Sequence, residues 1–130
     1  SFVDPERLSE LKTIPKKEFD LTKLIRICEE LDLCFKSECY LAVAGLTRAL
    51  IDHVPPIFRC GTFAEVANNS PGSKSFKESM KHLEASARKI GDAHLHVQIR
   101  RSETLPTTTQ VDFKNDIDVL LGEIVRLLKL

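Results

Sequence analysis

Apolar residues recur along this chain mostly at helical spacing. Leu21, Leu24, Ile25, Cys28, Leu31 and Phe35 follow the i, i+3, i+4, i+7 pattern of one helix face, with Asp20 placed to cap its start. A second helix is expected from Ser37, with Tyr40, Val43, Ala44, Leu50, Ile51 and Val54 on one stripe and Leu41, Ala42 and Leu46 elsewhere. A helix apolar nearly all round belongs at the centre of a fold. Pro55-Pro56 ends it, because neither proline donates a backbone hydrogen bond and each disfavours helix in the residue before it. Phe76, Met80, Leu83, Ala87 and Ile90 predict a third helix with Gly91 as its C-cap, and Ile117, Leu120, Leu121, Ile124, Leu127 and Leu128 a fourth.

Shorter elements fill the gaps. Asp4-Pro5 pairs an N-cap with a proline at the first helical position and starts a peripheral helix running to Lys12. Thr62 and Glu65 have capping-box spacing and open a short helix that ends at the Asn68–Gly72 turn. Between His94 and Glu103 the pattern is double: Leu95, Val97 and Ile99 alternate as in a strand, while Leu95 and Ile99 also share a helix face. Helix is expected, since no partner strand is visible. Leu105 to Val111, with Pro106 and Thr107, Thr108 and Thr109, reads as an extended loop.

The expected architecture is all-α, a helical bundle of four main helices with short accessory helices. Residues 1–19 form an N-terminal extension and residues 20–130 a single bundle domain. A chain of 130 residues, 42% hydrophobic, can build one core but not two domains. It starts Ser-Phe-Val-Asp-Pro without Met or an apolar leader, which suggests a domain excised from a longer protein whose other domains would be partners. The longest apolar-or-Gly run, Leu41 to Leu46, falls far short of the ~18 residues of a membrane span, so no membrane partner is expected. Cys28, Cys34, Cys39 and Cys60 form no C-x-x-C pair, and the first three fall in helical apolar patterns. Reduced thiols of that kind suggest the cytoplasm.

Lys+Arg and Asp+Glu balance at 19 each, which removes the whole-chain basic field of non-specific nucleic-acid binders but permits a local patch. Candidate chemistry sits in the central helix, at Arg48-Ala-Leu-Ile-Asp-His53. A guanidinium can grip a phosphate with two parallel hydrogen bonds, and an imidazole can move a proton near neutral pH. Five residues turn through about 140°, so the two do not share a face of a straight helix. Only a long side chain, the helix end or a second copy brings them to one phosphate. His53 in the last turn also meets the negative end of the helix dipole, which favours its protonated form. Arg88 and His94 have a similar spacing.

Here the sequence resembles the HEPN superfamily of helical-bundle domains, whose nuclease members carry an Arg followed a few residues later by a His. The resemblance runs over residues 20–130 and extends to uncharacterised bacterial proteins with similar strings around Leu46–Pro56 and Asp92–Phe113. It implies a homodimer whose two motifs line a shared cleft, and RNA cleavage without metal or cofactor that leaves a cyclic phosphate. It also implies the setting, a bacterial defence or toxin system. Arg48 and His53 would be the catalytic pair. Where HEPN nucleases usually place a polar residue after the Arg, this chain has Ala49.

Two alternatives stay open. Arg48 pairs with Asp52 one turn on and His53 is a surface residue, in which case the chain is a non-catalytic dimerisation or partner-binding domain of a larger effector. Gly45, on the face Leu41, Gly45, Arg48, Asp52, permits close approach by a partner. A small-ligand pocket between helices is the other. Elsewhere His94 and His96, beside Asp92 and before Arg100-Arg101, make the densest polar cluster. These four residues are candidate RNA phosphate contacts. With no third ligand at a characteristic spacing, no metal is assigned to them.

Overall fold

The computed structural model describes residues 1–129; Leu130, the last residue of the expected bundle domain, lies outside them. The fold is all-α, with no strand among the described residues. In chain order the elements are α1 (Pro5–Thr13), α2 (Thr22–Lys36), α3 (Tyr40–His53), a 3-10 turn (Pro55–Phe58), α4 (Phe63–Asn69), α5 (Lys74–His94), the single turn α6 (Thr108–Val111) and α7 (Lys114–Leu128). The four long helices α2, α3, α5 and α7 are the four the apolar pattern identifies.

Local side chains set most of the boundaries. Asp4 accepts the N–H of Glu6, Thr62 that of Glu65 and Ser73 that of Phe76, each satisfying a donor that the first helical turn leaves free. Asp20 accepts both the N–H and the hydroxyl of Thr22, and those bonds hold its carboxyl well below the usual carboxylate range. A three-residue turn with Glu38 in the left-handed region folds α3 back on α2, so α3 starts at Tyr40 rather than Ser37. The prolines end α3 at His53, as expected.

Packing closes a ring in which α2 lies against α3, α3 against α5 and α5 against α7, while α1 bridges α7 and α2. Its interior holds Leu24, Leu31, Leu50, Ile51, Met80, Leu83, Ile117, Leu120, Leu121 and Ile124, all fully buried. Each such side chain contributes roughly 1.5–3 kcal/mol of burial. The N-terminal residues join this core: Phe2, Val3 and Leu11 are buried, and the Val3 N–H donates to Asp32. They pack as part of the bundle, not as a peripheral addition.

Three local expectations are corrected. α5 does not stop at Gly91 but runs to His94, and Gly91 is buried inside it. The segment from Leu95 to Glu103 is neither helix nor strand, since an apolar alternation settles into a regular element only where a neighbour covers one face. The expected loop at Leu105–Val111 contains α6, because Thr107 and Gln110 form a full capping box that nucleates one turn.

Candidate functional site

Arg48 leaves α3 toward α5. Its Cγ and Cδ lie 3.3 Å, and its Nη1 2.5 Å, from where a β-carbon on Gly91 would sit. A side chain at position 91 would therefore occupy the arginine's place, and this close approach is what the glycine permits. Along α5 the buried residues taper from Met80 and Leu83 to Ala87 and Gly91, toward the end where Arg48 is seated.

Across the seam the charges pair diagonally. Arg48 Nη1 lies 3.8 Å from Asp92 Oδ1, and Arg88 Nη2 lies 3.9 Å from Asp52 Oδ1. These pairs show that α3 and α5 run antiparallel. The intrahelical Arg48–Asp52 pairing does not form; Asp52 faces Arg88, which also donates from Nε to Glu84 at 2.7 Å. Glu84 first, then Asp52 and Asp92, raise the Arg88 pKa against the effect of burial. Arg48 has no such partner. Its separation from Asp92 exceeds hydrogen-bond reach, and its Nε and Nη1 are buried with no hydrogen-bond partner. The side chain as a whole is 19% exposed.

His53 ends α3 and is half-buried on the flank toward α2. Burial, and then the positive charge of Lys23 on α2, lower its pKa, so it favours the neutral imidazole. Desolvation and Lys23 thus act against the helix-dipole expectation of a protonated His53. Arg48 reaches toward α5 while His53 feels Lys23 of α2, in keeping with the 140° separation expected from helical geometry.

His94 is the last residue of α5, two positions beyond Asp92, and is half-buried near Arg48's end of the seam. His96 and Arg101 are exposed beyond it. Arg100 folds onto its own loop, its backbone N–H and its Nε reaching the two Glu103 carboxylate oxygens at 2.9 and 3.1 Å. Because the segment is not helical, His96 and Arg100 are not one helical turn apart. The structure therefore gathers Arg48, Asp92 and His94 at one end of the seam, Asp52, Arg88 and Glu84 further along it, and leaves His53 on the other flank. The sequence placed Asp92 beside His94 and His96 but did not pair it with Arg48, nor mark Gly91 as the arginine's seat; the taper of α5 toward small residues was the available signal.

An open hollow of about 600 Å³, lined by Phe2, Asp32, Leu33, Phe35, Lys36 and Lys114, lies at the junction of α2, α7 and the N-terminus, and neither it nor four other hollows include Arg48, His53, His94 or His96. All four cysteines are free thiols. Cys28 is buried with its pKa pushed up to about 12 by desolvation and then by Asp32 and Glu29, whereas Cys39 is exposed at the start of α3 and outside the core. Among the described residues no group of three or more His, Cys, Asp or Glu is arranged to hold a metal ion, and no helix is long and apolar enough to cross a membrane. No protein-family model, curated protein or solved structure matches the chain.

Proposed function

We propose that this chain is a HEPN-like, RNA-directed module of a bacterial defence or toxin system, working in the cytoplasm as a homodimer. The observation that carries the reading is Arg48: a guanidinium fixed over Gly91, free of Asp52, with Nε and Nη1 lacking hydrogen-bond partners. Buried donors without partners call for a functional or structural reason, and an RNA phosphate is the ligand that a guanidinium's geometry suits. In this reading a small rotation of the side chain brings its donors to the phosphate, and His94, His96, Arg100 and Arg101 add contacts from the adjoining loop.

Cleavage, in this reading, uses both copies. Neutral His53 of one chain takes the proton from the ribose 2′-hydroxyl, whose oxygen attacks the phosphorus held by Arg48 of the other. The 5′-oxygen leaves and takes a proton from solvent water, and a 2′,3′-cyclic phosphate remains. The depressed His53 pKa suits a base at neutral pH.

A second reading has its own support. Ala49 occupies the position after the arginine, and a β-carbon on Gly45 would meet nothing within 4 Å, so nothing inside the chain requires that glycine. Both fit a non-catalytic dimerisation or partner-binding domain of a larger effector. The test is incubation of a mixed RNA pool in EDTA with wild type, Arg48→Ala and His53→Ala, each variant checked for folding by circular dichroism. Cyclic-phosphate ends lost in both variants are the expected result. RNA binding lost only in Arg48→Ala, without cutting, makes the chain an RNA binder; neither cutting nor binding leaves the second reading.

A further inference from the structure

Helix α5 also packs against α7, and a polar pair crosses that seam. His82 Nδ1 lies 2.5 Å from Asp116 Oδ2, joining positions 34 residues apart. An ionised carboxylate only accepts, so Nδ1 carries the proton and Nε2 of the neutral ring keeps its lone pair. The two partners are unequally placed: the Asp116 side chain, in the first turn of α7, is 17% exposed, whereas that of His82 is 65% exposed. The fold thus grips one ring nitrogen and presents the other to solvent.

As a clasp the pair adds little. Met80, Leu83, Ile117 and Leu120 already join the two helices in one core, and a partly exposed ion pair contributes weakly beside them. What the carboxylate does is fix the tautomer and the direction of an exposed imidazole. The surroundings suit an anion. Lys81 precedes His82 and Lys89 lies two turns on along the same face; both are exposed, and neither is in an ion pair among the described residues. Glu78, one turn before, is the acid of α5 on that face. No side chain caps α7, so its first turn adds the positive end of a helix dipole beside the ring.

We propose that His82 is a phosphoryl-acceptor site, taking the group at Nε2 from a donor with a labile P–N bond. The Nε2 lone pair attacks phosphorus, the donor's P–N bond breaks, and the donor nitrogen, already protonated, leaves as the neutral amine with that bond's electron pair. The ring becomes a phosphoimidazolium. Its positive charge is shared by the Nδ1–H that points at Asp116, so the carboxylate stabilises the charge that develops as the new bond forms. Asp116 is a positioning residue in this step and does not touch the donor. The site lies on the α7 side of α5 and Arg48 on its α3 side, so neither reading depends on the other.

The test incubates the whole chain with phosphoramidate near neutral pH and follows the gain of a phosphoryl group at each histidine by peptide mass spectrometry under alkaline handling. His96, exposed and without a carboxylate partner among the described residues, is the reference inside the same molecule. His82 is expected to react about tenfold or more faster than His96, the size of effect that a carboxylate behind a histidine usually has. Asp116→Asn, shown by circular dichroism to be folded, brings the two rates together, and in concentrated urea the two histidines of wild type react alike. Equal rates at His82 and His96 in the folded wild type overturn the proposal. So does an advantage of His82 that survives Asp116→Asn in a folded chain, or one that persists in urea and therefore belongs to the neighbouring sequence rather than to the pair.

Discussion

Arginine is laid across glycine at two helix seams of this bundle, with opposite consequences. Between α1 and α7, Arg7 Nη2 lies 3.0 Å from where a β-carbon on Gly122 would sit; between α3 and α5, Arg48 Nη1 lies 2.5 Å from the same point on Gly91. The packing device is shared. Arg7, however, donates from Nε to Asp118 and from Nη1 to Glu10, both at 3.0 Å. Burial works to lower its pKa, but Glu10 and Asp118 outweigh it and the charge is reinforced. Arg48 has only Asp92 at 3.8 Å and two buried donors without acceptors. Arg7 is a clasp whose hydrogen bonds are complete within the chain. Arg48 is held in place by packing while its hydrogen-bonding capacity is left unspent, which makes it the better candidate for a ligand.

The largest effect should come from removing the two charges while keeping their bulk. Arg7→Met leaves Asp118 and Glu10 without their partner and is expected to destabilise the fold by about 1–2 kcal/mol, near the upper end for partly exposed ion pairs acting as a small network. Arg48→Met replaces buried, unpartnered donors with apolar atoms and should leave stability unchanged or raise it by up to ~1 kcal/mol. Urea unfolding of both variants measures this directly. A cost at Arg48 equal to that at Arg7 would remove the distinction and make Arg48 a structural residue.

A smaller effect sharpens the geometry. Gly91→Ala should gain little in the native chain, because the new methyl group displaces Arg48. In an Arg48→Ala background the same change is expected to stabilise α5 by up to ~1 kcal/mol, the usual helical advantage of Ala over Gly. The difference is a coupling of about 1 kcal/mol between the two positions, read from a four-protein cycle. Additive effects would mean that the arginine does not rest on the glycine in solution.

What the sequence revealed follows from how far each signal reaches. The start of α4 was legible in Thr62 and Glu65, and the end of α3 in Pro55-Pro56, because caps and prolines act within a turn. The four long helices were legible because their apolar faces are covered by one another. Gly91 was misread because a C-cap glycine and a close-approach glycine look identical along the chain; only the presence of α3 distinguishes them. Likewise Asp52 sits one turn from Arg48 and was the natural partner, yet the antiparallel seam offers it Arg88 and offers Arg48 Asp92. Residues 95–103 resisted because their apolar alternation fits helix and strand alike, and only Leu95 finds the core while Val97 and Ile99 stay exposed. Of the candidate site, residue types and the 140° separation were readable, but not the flank each side chain faces.

His53 provides the smallest and most local check, since it decides between two electrostatic accounts of one helix end. Burial and Lys23 disfavour its imidazolium in the folded chain, whereas the unfolded chain protonates at the ordinary value of 6.5. As pH falls through that value the unfolded state takes up the proton first, so this residue's effect is absent well above 6.5 and destabilising below it. The slope ends once the folded form is protonated as well. Melting temperatures of wild type and His53→Gln, taken between about pH 8 and pH 5, should therefore diverge on the acid side, with wild type losing stability faster. A dominant helix dipole predicts the reverse, with acidification favouring wild type relative to the variant. That result would restore the protonated histidine and suit an acid rather than a base at this position.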